Sequence, residues 1–370
     1  MESSQSLLLF ELIQVALGVR TSLSRTPSEE EWYLLFTMSI SQAVVGLTFE
    51  GVRKLGEQNH IMKPPYGLLI EWLGVSEQIK KRNKFVDSRC VDLIKFFTKA
   101  GFCSCILKGQ GNALMYSNPL CRIPGDIDVW LVSQNRKCNS TKTIIDIVKR
   151  CNPTSSARYH HIDYGNFNGV EVEVHYRPMY MFNPIHNNRL QKWFIDHQEE
   201  QMKNQVPLFD SDLGIPVPTV NFNRVYQLTH ISCHFFIEGV GLRHLLDYYY
   251  VLQYPVTENQ RKLDEKNLRY LGLYDMAAAV MYVLKKVFDL KYEQMIVPAD
   301  VKRGEFLLDE VMMAGNLGAY DIRLGQNNSQ LIRNLKRLKR NIRLMRYFPS
   351  ECLWEPVFRA YHFFWRLRYN

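Results

Sequence analysis

Asp126 and Asp128 stand one residue apart in Gly125-Asp126-Ile127-Asp128-Val129-Trp130, at the entrance to an apolar run that reads as a strand. Strand alternation puts both carboxylates on one face. At about 4 Å and an effective dielectric near 20 their repulsion is about 4 kcal/mol, so the pair calls for a divalent cation. Oxygen ligands of this kind suit magnesium. A third carboxylate is expected from a neighbouring strand, and Val170 to Arg177 offers Glu171, Glu173 and His175 on one face, with Val172 and Val174 on the other. Upstream, Leu107-Lys108-Gly109-Gln110-Gly111-Asn112 places two glycines between a strand and an expected helix, where backbone amides can approach an anion. Together these residue types describe a phosphate and metal site.

The order Leu107-Lys108-Gly109, then about a dozen residues, Arg122, Gly125-Asp126-Ile127-Asp128 with its apolar strand, and later Val172-Glu173-Val174-His175-Tyr176-Arg177, resembles the uncharacterised nucleotidyltransferases of the DNA polymerase beta superfamily. The resemblance extends through Gly239-Val240-Gly241-Leu242-Arg243-His244-Leu245-Leu246-Asp247 and is sharpest between residues 105 and 178. It implies that Asp126 and Asp128 hold a pair of Mg2+ ions and that Glu173 is the third ligand, able to help activate an acceptor hydroxyl. It also implies that Lys108, Gly109 and Gly111 face a triphosphate, that Lys108 or Arg122 neutralises further charge, and that His175, Arg243 and Asp247 belong to the nucleotide side of the cleft.

The reaction implied is in-line attack of an acceptor hydroxyl on the alpha phosphorus of a nucleoside triphosphate such as ATP, with pyrophosphate leaving. The acceptor could be a small molecule, a protein or an RNA. Two departures from the superfamily pattern stand out. The usual Gly-Ser turn is replaced by Lys108-Gly109-Gln110 or Gly111-Asn112, which offers no hydroxyl, and the third acid is Glu where Asp is common.

Other residues keep two readings. Glu171 could meet the metal or pair with Arg158 across a hairpin, and Arg177 could bind phosphate or a carboxylate. His230, His234 and Glu238 lie at i, i+4 and i+8 of an expected helix, which fits zinc, although a helix face packed on the catalytic sheet is the better account. Arg243 and Asp247 fit an ordinary i, i+4 pair of about 0.3–0.5 kcal/mol. Arg333, Lys336, Arg337, Lys339, Arg340, Arg343 and Arg346 oppose Leu331, Leu335, Leu338, Ile342 and Met345 on one helix, which could dock on nucleic acid or anionic lipid or form a solvated outer face. Two other functional classes follow: a catalytically inactive nucleotide-binding or regulatory protein, and a basic nucleic-acid or membrane-surface adaptor. The intact acid trio argues against a lapsed enzyme, because nothing else explains keeping mutually repelling carboxylates together.

These residues need a scaffold, which the periodicities supply. A helical pattern runs from Ser6 to about residue 83, with Ser28 and Glu29 to Glu31 as a helix start and Lys63-Pro64-Pro65-Tyr66-Gly67 as a loop. Next come helix Val86 to Lys99, strand Phe102 to Leu107, strand Asp128 to Val132, and a hairpin of Arg158 to Gly165 and Val170 to Arg177 about an Asn168-Gly169 type I′ turn. Beyond Pro218 helices are expected at Val225 to Gly239, Leu242 to Gln253, Asp275 to Leu290 and Gln330 to Tyr347, with the tail Trp354 to Tyr369 packing. The fold class is α+β: a nucleotidyltransferase-type mixed sheet at 84–180, preceded by a helical region at 1–83 and followed by a helical domain at 181–370.

Composition agrees with a globular chain: of 370 residues, 46% are hydrophobic and 22% charged, and the net charge of +9 favours phosphate-bearing ligands. The eight cysteines contain no CxxC pair, which excludes a zinc ribbon and reads as reduced thiols. The apolar run Leu7 to Phe10 is interrupted by Glu11 and preceded by no Lys or Arg, a weak signal peptide, and no membrane-spanning stretch is visible, so the expected location is the cytoplasm.

Overall fold

The computed structural model describes residues 4–58, 62–135, 140–209, 213–321, 323 and 330–370. Three helices open it, α1 (Ser4–Leu17), α2 (Glu29–Ser41) and α3 (Val45–Gln58). α2 starts where expected: the Ser28 hydroxyl accepts from Glu31 N while the Glu31 carboxylate accepts from Ser28 N, which satisfies two of the unpaired donors of the first turn. α1 buries Leu8, Leu9, Leu12 and Ile13 and lies along α3.

The next helix, α4 (Tyr66–Lys99), begins directly after Pro65 rather than at Val86. Its buried residues Leu68, Trp72, Ser76, Asn83, Val86, Cys90, Leu93 and Phe97 recur every three or four positions, with the half-buried Ile79 filling the one longer step, and form an inner stripe. The sequence hides this stripe because Lys80 to Lys84 interrupts the apolar pattern, and Asn83, the polar residue inside it, is buried for a purpose. Its amide donates to Leu120 O at 3.0 Å and Arg122 O at 2.8 Å, pinning the loop that leads into the Asp126–Asp128 segment.

Four strands form a mixed sheet in the order β1 (Phe102–Ile106), β2 (Ile127–Ser133), β4 (Val170–His175) and β3 (His161–Phe167). β1 and β2 are antiparallel, β2 and β4 parallel, and β3 and β4 antiparallel. The β3–β4 turn is the expected two-residue one: Phe167 pairs with Val170, and Asn168 and Gly169 take φ of +50° and +93°, the positive values that type I′ requires. Between β1 and β2 lies the short helix α5 (Gln110–Ala113), and between β2 and β3 the helix α6 (Thr141–Cys151).

Helices make up most of the remainder: α7 (Pro184–Lys203), α8 (Val220–Ile237), α9 (Leu242–Leu252), α10 (Glu258–Tyr270), α11 (Tyr274–Phe288), α12 (Val301–Ala314), α13 (Gln330–Met345) and α14 (Pro349–Tyr369). A two-stranded ribbon of β5 (Gln205–Pro207) and β6 (Gly214–Pro216) precedes the helices expected beyond Pro218. One contiguous apolar core reaches from α1 to α14. Among the described residues no helix is long and apolar enough to cross a membrane. Seven cysteines are free thiols, five of them buried, and Cys138 lies outside the described residues.

α13 turns its faces the other way from a simple amphipathic reading. Leu335, Leu338 and Ile342 are exposed, while Arg340 is buried and donates to Phe235 O and Glu238 O at the end of α8. Arg343 pairs with Glu310 at 2.8 Å. Two of the seven cations are therefore engaged inside the molecule, and the side chains of Leu331, Arg333 and Lys336 lie outside the described residues. In the tail, Phe358 and Trp365 pack, but Leu353, Val357, Phe364 and Leu367 remain exposed.

Replacing Asn83 by Leu keeps the branching at Cγ, adds some bulk and removes the donor to two carbonyls. Unfolding in urea should show a loss of about 1–3 kcal/mol; a variant as stable as the parent would mean that the α4 amide does not hold this loop.

Candidate active site

β2 and β4 run in parallel with Asp128 opposite Glu173, so the two carboxylates leave the same side of the sheet on adjacent strands. On β4, Val170, Val172 and Val174 are buried, and Glu173 and His175 take the other face as alternation requires. Glu171 shares that face but lies exposed at the hairpin end, bonded to Asn166; Arg158, its expected partner, pairs with Asp163 at 3.5 Å. Ligand atoms of Asp128, Glu173 and His175 all lie within 4.8 Å of one another, a group able to hold a metal ion.

Two cations answer these acids. Lys108 Nζ stands 3.1 Å and His175 Nε2 2.8 Å from the same oxygen, Asp128 Oδ1. Burial opposes a charge on Lys108, but Asp128 and Asp126 together hold its pKa well above the usual lysine value. The same contest raises His175 to about 9: burial lowers it, and its bonds to Asp128 and Glu173 more than compensate. Burial would raise Glu173 too, yet His175, His161 and Lys108 keep its carboxyl well below the ordinary range. Asp126 goes the other way and is raised to about 6, first by the Asp128 charge and then by burial.

Lys108 follows β1, and Gly109 takes φ +61° at the turn, where its backbone borders the cleft. The helix that follows is only four residues long. Gly111 is buried, and a Cβ there would meet Ile106 O at 2.8 Å; its role is close packing.

Arg122 and Asp247 form a buried bidentate pair with both N–O distances at 2.8 Å. Asp247 also accepts from Tyr116 Oη at 2.6 Å and Asn112 Nδ2 at 3.0 Å, and Asn112 in turn accepts from Gln227 at 2.7 Å. The helical pair expected between Arg243 and Asp247 is thus replaced by a long-range one, and the Arg122 guanidinium is bonded within the protein. Arg243 is the cation left facing the cleft: it donates to Ile123 O at 3.3 Å, and its Nε is buried without a hydrogen-bond partner. Arg177 bonds Tyr159 O and sits over the Tyr159 ring, a packing role.

The cavity enclosed by these residues is about 370 Å3 and is also bordered by His230, His234 and Glu238 of α8 and by His244 of α9. Near its start the α8 face packs on the sheet as expected, with Phe222 stacked on Trp130 of β2, and further along the cavity lies between helix and sheet. His234 bonds Glu238 at 2.6 Å, and among the described residues these three do not form a metal-compatible group. Seven of the chain's ten histidines border this one cavity. Sequence reasoning missed His160, His161, His244 and His362, for which the doublet His160-His161 at the start of β3 was the one local signal.

The model of a family described as uncharacterised nucleotidyltransferase matches residues 28–289, which includes every strand of both sheets and the helices from α2 through α11. No curated protein and no solved structure matches the chain.

Two outcomes follow from this geometry. Arg122→Met or Asp247→Leu alone leaves a buried charge unpaired and should cost about 3–5 kcal/mol, and the double variant should cost clearly less than the sum, read from urea unfolding in a double-mutant cycle. Separately, burial holds His230 and His244 well below the ordinary histidine pKa. The unfolded chain takes up protons near pH 6.5 that the folded one refuses, so stability should fall as pH drops from 7 to 5.5. Each residue contributes up to about 1.4 kcal/mol per pH unit, and a His230→Gln/His244→Gln variant should show a flatter dependence.

Proposed function

The chain belongs to the uncharacterised nucleotidyltransferase family, and on that premise we propose that it transfers a nucleoside monophosphate from a nucleoside triphosphate to an acceptor hydroxyl, with Mg2+ as cofactor and pyrophosphate as the second product. The observation that carries this reading is the register of Asp128 against Glu173, which gathers carboxylates from two strands around one point beside Lys108. Three carboxylates with oxygen donors fit a hard dication; Asp126, Asp128 and Glu173 would hold it. A dication bound there supplies charge neutralisation at the attacking and leaving oxygens of an in-line displacement.

The chain's own residues do the rest. Lys108 brings a positive charge to the triphosphate side, and Arg243, which borders the same cavity, brings a second from α9. Glu173, kept ionised by its neighbours, is placed to accept the acceptor's proton. Arg122 and Asp247 act at one remove, fixing the loop before β2 to α9 so that Asp126 and Arg243 keep their spacing. A catalytically silent nucleotide binder would need none of the acid pairing, and this favours turnover.

With Mg2+ and each nucleoside triphosphate in turn, the protein should release pyrophosphate, and Asp126→Ala and Asp128→Ala should each lower the rate by at least about 100-fold while the fold is retained by circular dichroism. Release at an unchanged rate in either variant would refute the site.

A further inference from the structure

Beyond the carboxylate site, four donor atoms meet where β3 begins. His161 Nδ1 lies 3.0 Å from His160 Nε2 and 3.4 Å from Glu173 Oε2, and His175 Nε2 lies 3.6 Å from that same carboxylate oxygen. The three imidazoles each offer a nitrogen within 4.8 Å of the others. A tetrahedral ion with bonds of about 2.0–2.1 Å has edges of about 3.3–3.4 Å between its ligand atoms; the two contacts with Glu173 are near that length, and the imidazole nitrogens would close onto the ion from within 4.8 Å of one another.

Of the other ring nitrogens, His161 Nε2 lies 3.2 Å from Asp163 Oδ1 and His175 Nδ1 3.4 Å from the Arg177 carbonyl, and His175 Nε2 would exchange its 2.8 Å contact with Asp128 for the ion. His160 Nδ1 is buried with no hydrogen-bond partner. A sheet hydrogen-bonded only for its own stability has no need to crowd three histidine rings, edge-on or tilted, with centroids 4.3 to 5.3 Å apart.

We propose that His160, His161, His175 and Glu173 form a tetrahedral site for a zinc-class dication, separate from the Asp126–Asp128 site and touching it through Glu173. Three imidazoles and one carboxylate suit Zn2+ and Co2+, whereas magnesium takes oxygen ligands and octahedral geometry. The site stands on these distances alone and does not require the transferase reading.

The metal-free full chain is titrated with Co2+ as a spectroscopic substitute for Zn2+, in the presence of excess Mg2+. One equivalent should bind with the intense visible absorption of four-coordinate cobalt, and Zn2+ should displace it. His160→Ala and His161→Ala should each weaken Zn2+ binding by at least about 100-fold, and Asp126→Ala should leave it within about threefold, although it abolishes pyrophosphate release. His160→Cys keeps a ligand at the position and should bind Co2+ with an added thiolate charge-transfer band, a readout that does not depend on the alanine variants folding. Weak octahedral absorption, binding that survives in folded His160→Ala, loss of the ion in Asp126→Ala, or a folded His160→Cys protein without the thiolate band would each overturn the proposal.

Discussion

Parallel pairing of β2 with β4 sets Asp128 beside Glu173 in a place from which much of the solvent is excluded, and the rest of the cleft is built around that enforced proximity. In water, two carboxylates a few ångströms apart repel weakly. In the interior the same pair is destabilising by several kcal/mol unless positive charge is delivered to it. Lys108 arrives from the β1 turn and His175 from two residues further along β4, both at one oxygen of Asp128. A dication entering this space would contend with them for the same atoms, so the protein's own cations would help set how tightly it bound.

The Arg122–Asp247 pair plays a different part. It joins the loop before β2 to α9 across 125 positions of sequence, and its two charges are satisfied by each other, by Tyr116 and by Asn112. A pair so completely bonded adds no net charge to the cleft and cannot reach for a ligand without leaving a buried partner exposed to its full desolvation cost. It therefore serves as a strut, and the reachable cation on that side is Arg243.

What the sequence disclosed and what it concealed divide along the range of the interactions. Asp126, Asp128 and Glu173 were legible because strand alternation acts over two residues, and the Asn168-Gly169 turn was legible because positive φ selects those residue types. The start of α4 was concealed by Lys80 to Lys84, whose charges mask an inner stripe completed by a buried Asn. Asp247 was read as the partner of Arg243 because a helix offers that neighbour at i+4; its true partner is set by tertiary packing. α13 misled for a related reason, since Arg340 turns inward to meet the terminal carbonyls of α8, where a cation is favoured. The histidines were the hardest to see: each looks ordinary alone, and only the fold gathers seven of them around one cavity.

Glu173 is the residue on which both ends of the cleft converge. It stands opposite Asp128 in the sheet and within 3.4 to 3.6 Å of His161 and His175. Two dications about 4 Å apart at an effective dielectric near 20 would repel by about 16 kcal/mol, four times the figure for unit charges. One shared carboxylate offsets only part of this. Simultaneous occupancy of the carboxylate set and the histidine set would thus require further negative charge between them, and the groups able to supply it are the ionised Asp126 and an incoming polyphosphate. The same reasoning gives His175 two incompatible partners, since its Nε2 cannot both donate to Asp128 and ligate an ion. Whichever partner it takes changes the charge that Asp128 presents to Lys108, and this makes His175 the side chain through which the two halves of the cleft would be coupled.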